Sequence, residues 1–269
     1  MVRLVGLLVA VGGCAWGGGE DSHGVQGVDA RVRSDGGGGD VSGVMKHVLL
    51  SEVVLNSIGG EFVEIVNPTT AAVDLTHYYL ADIGEYWQLP ATPPMVLSSD
   101  FIVQFPASSM LAPGAVATIS ISAATTYMGV YGSAPTYALP TMIATDIGTN
   151  PTLTDGGEII VLFSWDGTSS LVKDVDMMIA GAPQSFNTLV SKSGIIQGSG
   201  TYAVDANTIA AQPSAPGTDL STKRIAAEQE TQTAAGNGIA GHDETSENTQ
   251  TTWDTTFTVP TPGQVPTTF

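Results

Sequence analysis

Several sets of side chains are of types that could do chemistry or bind a ligand. Glu52, Glu61 and Glu64 fall on two neighbouring apolar runs, so paired strands would bring carboxylates together. Glu64 shares a strand face with Phe62, while Val63 and Ile65 take the other face. The plainer role for Glu52 and Glu64 is structural, satisfied by backbone or by Lys223 and Arg224. Asp74, Asp82, Asp155 and Asp174 are the candidate ligands for a calcium ion at strand ends, but nothing in their spacing makes them converge. Tyr127, Tyr131 and Tyr137, with Trp87, are the candidate aromatic platform for a sugar or protein ligand; core packing or loop filling competes with that role. Nucleophilic catalysis needs a nucleophile, a base and an orienting group in reach. Serines are plentiful, yet His47, His77 and His242 sit in no catalytic motif and His23 precedes the folded region. Nucleophile-elbow, paired-histidine zinc and phosphate-loop patterns are missing from the sequence. The expectation is a protein that is not an enzyme.

Cys14 is the chain's one cysteine and has no disulfide partner. Before it stand Arg3, an apolar run from Leu4 to Val11, and Gly12-Gly13, which together have the parts of an export signal. The run is too short to cross a bilayer, which takes about 20 apolar residues. Small residues directly before a cysteine resemble a bacterial lipobox, although Val11 stands where leucine is commoner. That resemblance implies a signal peptide over 1–13, lipidation of Cys14 and an exported lipoprotein. By resemblance to enteric lipoproteins, Ala15 rather than aspartate in the following position implies the outer membrane or cell surface.

The full chain carries 26 acidic and 8 basic residues. From His47 onward, 21 acids face only Lys173, Lys192, Lys223 and Arg224, a formal charge of −17. Such a body has few cations with which to displace the counterions of nucleic acid or bind an anionic lipid surface directly. Nucleic acid is therefore excluded as a partner, and membrane attachment is left to the lipid.

These groups need a scaffold. Residues 14–46 hold Gly17-Gly18-Gly19 and Gly36-Gly37-Gly38-Gly39 with no apolar period, which reads as a flexible tether spanning roughly 30 Å. The texture changes at His47. Apolar runs at 47–55, 61–66, 76–81, 101–105, 115–122, 158–164 and 171–179 read as strands. Asn67-Pro68 stops one run, Pro113-Gly114 marks a turn, and Trp165-Asp166-Gly167-Thr168 between two runs is a hairpin signal. Ile225–Gln229 is the sole faint helical stretch, and 228–252 reads as an exposed loop. The expected architecture is all-β, a sandwich, over residues 47–269.

The motifs also come in a recognisable order. Ser51-Glu52, Glu61-Phe62-Val63-Glu64-Ile65-Val66-Asn67-Pro68 and Asp74 through Asp82 are followed by Leu111-Ala112-Pro113-Gly114. Then come Asp155-Gly156-Gly157-Glu158, Trp165-Asp166-Gly167, Val172-Lys173-Asp174-Val175, Ser221-Thr222-Lys223-Arg224, Trp253 and Thr261-Pro262-Gly263. This series resembles the bacterial lamin-tail domain family, an immunoglobulin-like β-sandwich, from residue 47 to about 265. His77-Tyr78 stands where that family usually has Gly-Trp. The body is also longer than the roughly 100 residues of an immunoglobulin-type sandwich. Two stretches hold the excess, 123–152 and 181–222, and long loops of this kind are often functional. The resemblance implies no activity. It implies a non-catalytic envelope lipoprotein whose domain binds, adheres or scaffolds, with a protein or glycan ligand. A calcium-stabilised surface protein and an envelope hydrolase are the alternatives.

Overall fold

The computed structural model describes residues 47–181, 190–206, 214–226 and 232–266. The expected signal segment, the tether with Cys14 and part of the second insertion lie outside the described residues.

Two five-stranded sheets carry the fold. In the first, β1 (Leu49–Val54) pairs with β14 (Thr222–Lys223) on one side and β2 (Phe62–Val66) on the other. β7 (Val116–Ser120) and then β8 (Tyr137–Ala138) complete it, the last pairing being parallel. The second sheet runs β11 (Lys173–Gly181), β10 (Gly157–Ser164), β4 (Tyr78–Ala81), β5 (Phe101–Gln104) and β9 (Ile143–Ile147), all antiparallel. Three two-stranded ribbons join them: β3 (Val73–Asp74) with β6 (Met110–Leu111), β12 (Ile196–Gln197) with β13 (Gly200–Thr201), and β15 (Thr233–Ala234) with β16 (His242–Asp243).

Strand periodicity explains the core. Leu50, Val53, Val63, Ile65 and Ile119 of the first sheet meet Leu80, Phe101, Val103, Ile160 and Leu162 of the second in one buried cluster. The alternate residues of the second sheet, Tyr79, Ile102, Ile159, Val161 and Phe163, form another cluster on its far side. There Tyr86, Trp87, Leu89, Val190 and Tyr202 cover them. This sheet is buried on both faces, so β10 reads as a continuous apolar run rather than an alternating one.

Three bulges interrupt that periodicity, one of them in the β5–β9 ladder between Ile102 and Val103. β1 shifts register between Leu50 and Glu52, which lets Leu50 and Val53 both face the core. The β10–β11 ladder shifts between Leu162 and Phe163, whose partners are Asp176 and Asp174.

The sequence expectation of a sandwich holds, but three local readings need correction. Stretch 123–152 is not a free loop: it holds the helix α1 (Ala124–Tyr131) and the edge strands β8 and β9, one on each sheet. The helix escaped notice because Tyr127 is its one buried residue, which leaves no apolar stripe to read. Gly132, at φ 74°, ends it by donating its N–H to Met128 O at 2.9 Å. Ile225 and Ala226 are not helical, and the rest of that faint stretch lies outside the described residues. Finally, the described part of 228–252 is not wholly exposed, since Asp243, Glu244 and Glu247 are buried and α2 (Thr249–Thr252) follows them. No described helix is long and apolar enough to cross a membrane.

Candidate functional site

The β10–β11 hairpin closes through Gly167, at φ 78°, and its tip and flank form a polar groove. Asp166 sets the tip: its Oδ1 accepts the N–H groups of Thr168 (2.8 Å) and Ser169 (2.6 Å), and Ser169 Oγ donates to Oδ2 at 2.6 Å. Those hydrogen bonds hold the carboxyl below its ordinary pKa. The half-buried Trp165 donates Nε1–H to Ser169 O at 2.8 Å, and its ring lies 6.3 Å from that of Tyr79.

Two adjoining depressions open beside this tip, of about 590 and 230 Å³, and both are lined by Ser169, Leu171 and Lys173. Trp165 and His77 lie at one end. At the other, Tyr202 and Asn237 form the wall. Segment 236–239 is held there by Asp174 N–H, which donates to Asn237 O (3.1 Å), and Ile239 N–H, which donates to Asp174 O (2.6 Å). Hydroxyls from Thr168, Ser199 and Thr201 and the cation of Lys173 give the groove donors and acceptors beside one indole. Lys173 is exposed, whereas Lys192 and Arg224 are buried in ion pairs and Lys223 lies 3.7 Å from Glu52. Among the described residues the groove therefore holds the most exposed cation.

The aromatic platform expected from Tyr127, Tyr131, Tyr137 and Trp87 is not assembled. Tyr127 is 1% exposed and packs edge-on against Phe62 (5.9 Å between centroids). Tyr131 packs edge-on against the same Phe62 (5.5 Å between centroids), and its hydroxyl donates to Gly60 O at 2.7 Å. Tyr137 packs against Phe105, and Trp87 against Tyr202 beneath the second sheet. Each ring found a nearby apolar strand face, so the four serve three separate clusters.

The four candidate calcium ligands also part company. Asp74 is exposed and accepts from Thr76 N–H and Oγ1. Asp82 is buried, accepts Phe101 N–H at 2.6 Å, and is pushed well up by burial and by Glu158. Asp155 is exposed, and Asp174 is buried beside Lys192. Among the described residues no group of three His, Cys, Asp or Glu side chains is placed to hold a metal ion. The histidines are dispersed as well, with His47 ahead of β1, His77 ahead of β4 and His242 on β16.

Glu52 and Glu64 do face each other across β1 and β2, whereas Glu61 does not join them. Glu64 is fully buried, accepts Gly263 N–H at 2.6 Å and Ser51 Oγ–H at 3.0 Å, and burial pushes its pKa to about 7. Glu52 accepts Thr261 N–H at 2.9 Å. The pair thus pins the C-terminal segment to the first sheet, a structural role. Glu61 instead accepts Leu153 N–H at 3.0 Å and Thr152 Oγ1–H at 2.9 Å.

Sequence reading missed two buried ionic clusters. Arg224 gives Nη2 to both Asp176 oxygens at 2.8 Å, Nη1 to Glu247 at 2.7 Å and Nε to Leu50 O at 2.8 Å, and stacks 4.9 Å from the Trp253 ring. Lys192 lies 2.9 Å from Asp174 and 2.7 Å from Asp205, with all three side chains fully buried. The signal was present in the scarcity of cations: Lys192 and Arg224 each had two acids to answer, though sequence did not say which.

Residues 44–177 match the Lamin Tail Domain family. The chain carries a lamin tail domain. That match covers β1 through most of β11, so the hairpin wall of the groove, with Trp165 and Lys173, belongs to the lamin tail domain itself. The opposite wall, Tyr202 and Asn237, lies beyond it, as do Lys192 and Arg224. A crystal structure at 2.50 Å of a DUF4876 family protein from Bacteroides thetaiotaomicron VPI-5482 is similar over 82% of this chain and 74% of that one, with a TM-score of 0.44 and 16% identity. No curated protein matches the chain in sequence.

Proposed function

We propose that this lamin-tail-domain protein is a non-catalytic binding module of a bacterial cell envelope, held on a membrane by lipid at Cys14, and that the hairpin groove is its ligand site. The observation that carries the reading is the groove's lining: a half-buried indole, several hydroxyls, an amide and the most exposed cation among the described residues, in a body of charge −17. Few precisely placed polar groups beside an apolar surface suit a ligand with both CH faces and hydroxyls, and a neutral or weakly anionic glycan has both. The acidic surroundings disfavour polyanions.

The site test is binding of purified envelope polysaccharide to the full chain, with EDTA present, by wild type and by Trp165→Ala/Lys173→Ala. The expected result is binding that survives the chelator and falls at least tenfold in the variant. Equal binding by both proteins overturns the groove as the site. The anchor is tested by membrane fractionation of Cys14→Ser, which is expected in the soluble fraction.

A further inference from the structure

The buried cluster around Lys192 holds the reactants of an amide bond. Lys192 Nζ lies 2.7 Å from Asp205 Oδ1 and 2.9 Å from Asp174 Oδ2, and none of the three side chains is exposed. Two carboxyls beside one amine are more acid than an ion pair needs, and their surroundings give them different roles.

Asp205 is held as an electrophile. Its Oδ2 accepts the backbone N–H of Lys192 itself at 3.0 Å, and Asn237 Nδ2 donates to Oδ1 at 3.1 Å, beside the ammonium. Donors on both oxygens draw charge from the carboxyl carbon and steady the oxyanion that attack would create. Asp174 is held as a proton carrier. Its Oδ1 accepts the hydroxyl of Tyr86, which fixes the carboxyl while Oδ2 faces the amine. The Lys192 ammonium also lies 5.5 Å from the Tyr86 ring centre, in the apolar cluster that covers the second sheet.

We propose that Lys192 and Asp205 join in an intramolecular isopeptide bond, formed by the folded chain itself with Asp174 carrying the proton. The Lys192 ammonium passes one proton to Asp174, and the freed amine attacks Cγ of Asp205. A bond forms between Nζ and Cγ. Asp174 returns its proton to the departing Asp205 oxygen and relays a second from the nitrogen, so that one water leaves. Ammonium and carboxylate become amide and water, charge is conserved and no redox partner is needed. Fixed, buried reactants of this kind reach effective concentrations of about 10⁵ M or more, which offsets the poor electrophilicity of a carboxyl group. Burial also keeps water from reversing the step. The bond would staple the ends of the segment bearing the β12–β13 ribbon, in a chain whose single cysteine gives it no internal disulfide.

The test is denaturing tryptic digestion of the full wild-type chain followed by mass spectrometry. Trypsin does not cut at an acylated lysine, so residues 174–223 are expected as one peptide, lighter than its sequence by one water. Fragmentation is expected to place the loss between Lys192 and Asp205. Lys192→Arg, which keeps the positive charge, is expected to give separate peptides 174–192 and 193–223 of full mass, and Asp174→Asn an uncross-linked Lys192 that trypsin cleaves. Wild-type peptides 174–192 and 193–223 at full mass overturn the proposal, as does a water loss that fragmentation places at Asp174.

Discussion

Asp174 and Asp176 are two residues apart on β11, yet they reach opposite faces of the second sheet. Period-two alternation would put them side by side. The bulge opposite Leu162 and Phe163 adds one residue between them. Asp174 therefore meets Tyr86 and Lys192 on the outer face. Asp176 turns inward, where it accepts Leu50 N–H at 2.6 Å and pairs with Arg224. One bulge supplies an acid to each of two buried clusters.

Asp176 links the sheets, so losing its cation should be costly. Arg224→Met would strand the buried carboxylates of Asp176 and Glu247, and breaking a buried pair costs about 3–5 kcal/mol. Urea unfolding should show that loss. A triple variant replacing Arg224, Asp176 and Glu247 with apolar residues of similar size should recover part of it, because no buried charge then remains unpaired.

Stability should fall as pH rises from about 4.5 to 7. Burial pushes Glu64 and Glu158 to about 7 from an ordinary 4.5. Across that window the folded chain holds protons that the unfolded chain has lost, so the slope of stability against pH is negative. Denaturant melts at pH 5 and pH 7.5 measure it, with a contribution from each group on the order of 3 kcal/mol. Glu64→Gln should flatten the slope, and an unchanged slope would contradict the assignment.

Two glycines should differ in their response to alanine. Gly167 has φ 78° but open space around its missing Cβ, so Gly167→Ala should cost about 1 kcal/mol of backbone strain. Gly181 has the same φ, and its Cβ would meet Gly156 O at 2.4 Å. Gly181→Ala should cost clearly more, and comparison of the two thermal midpoints reads the difference.

Tyr127 should matter to folding and not to binding. Tyr127→Ala removes the ring that packs on Phe62 and Val54 and should destabilise by about 3–5 kcal/mol. At a temperature where the variant remains folded, its glycan affinity should equal that of wild type.

Much of the sandwich was legible because its signals are local. Alternating runs, Asn67-Pro68 and Asp166-Gly167 each act over a few residues, and β2, β5, β10 and β11 begin within two residues of their expected starts. The helix α1 was not legible, since one buried tyrosine makes no periodic stripe. The tyrosines of that stretch read equally as a binding face or as packing, because a ring's contacts depend on strands far away in sequence.

Composition, period and turn chemistry are written residue by residue, so an acidic, cysteine-poor, all-β chain and the order of its lamin-tail motifs could be read from the residues in line. Tertiary structure alone decided which acids meet which cations. Arg224 is 48 residues from Asp176 and Lys192 is 106 from Tyr86, distances that only sheet register and the bulge in β11 bring to hydrogen-bond length. The same long-range register decided that Tyr127 lies inside and that Trp165 borders a groove.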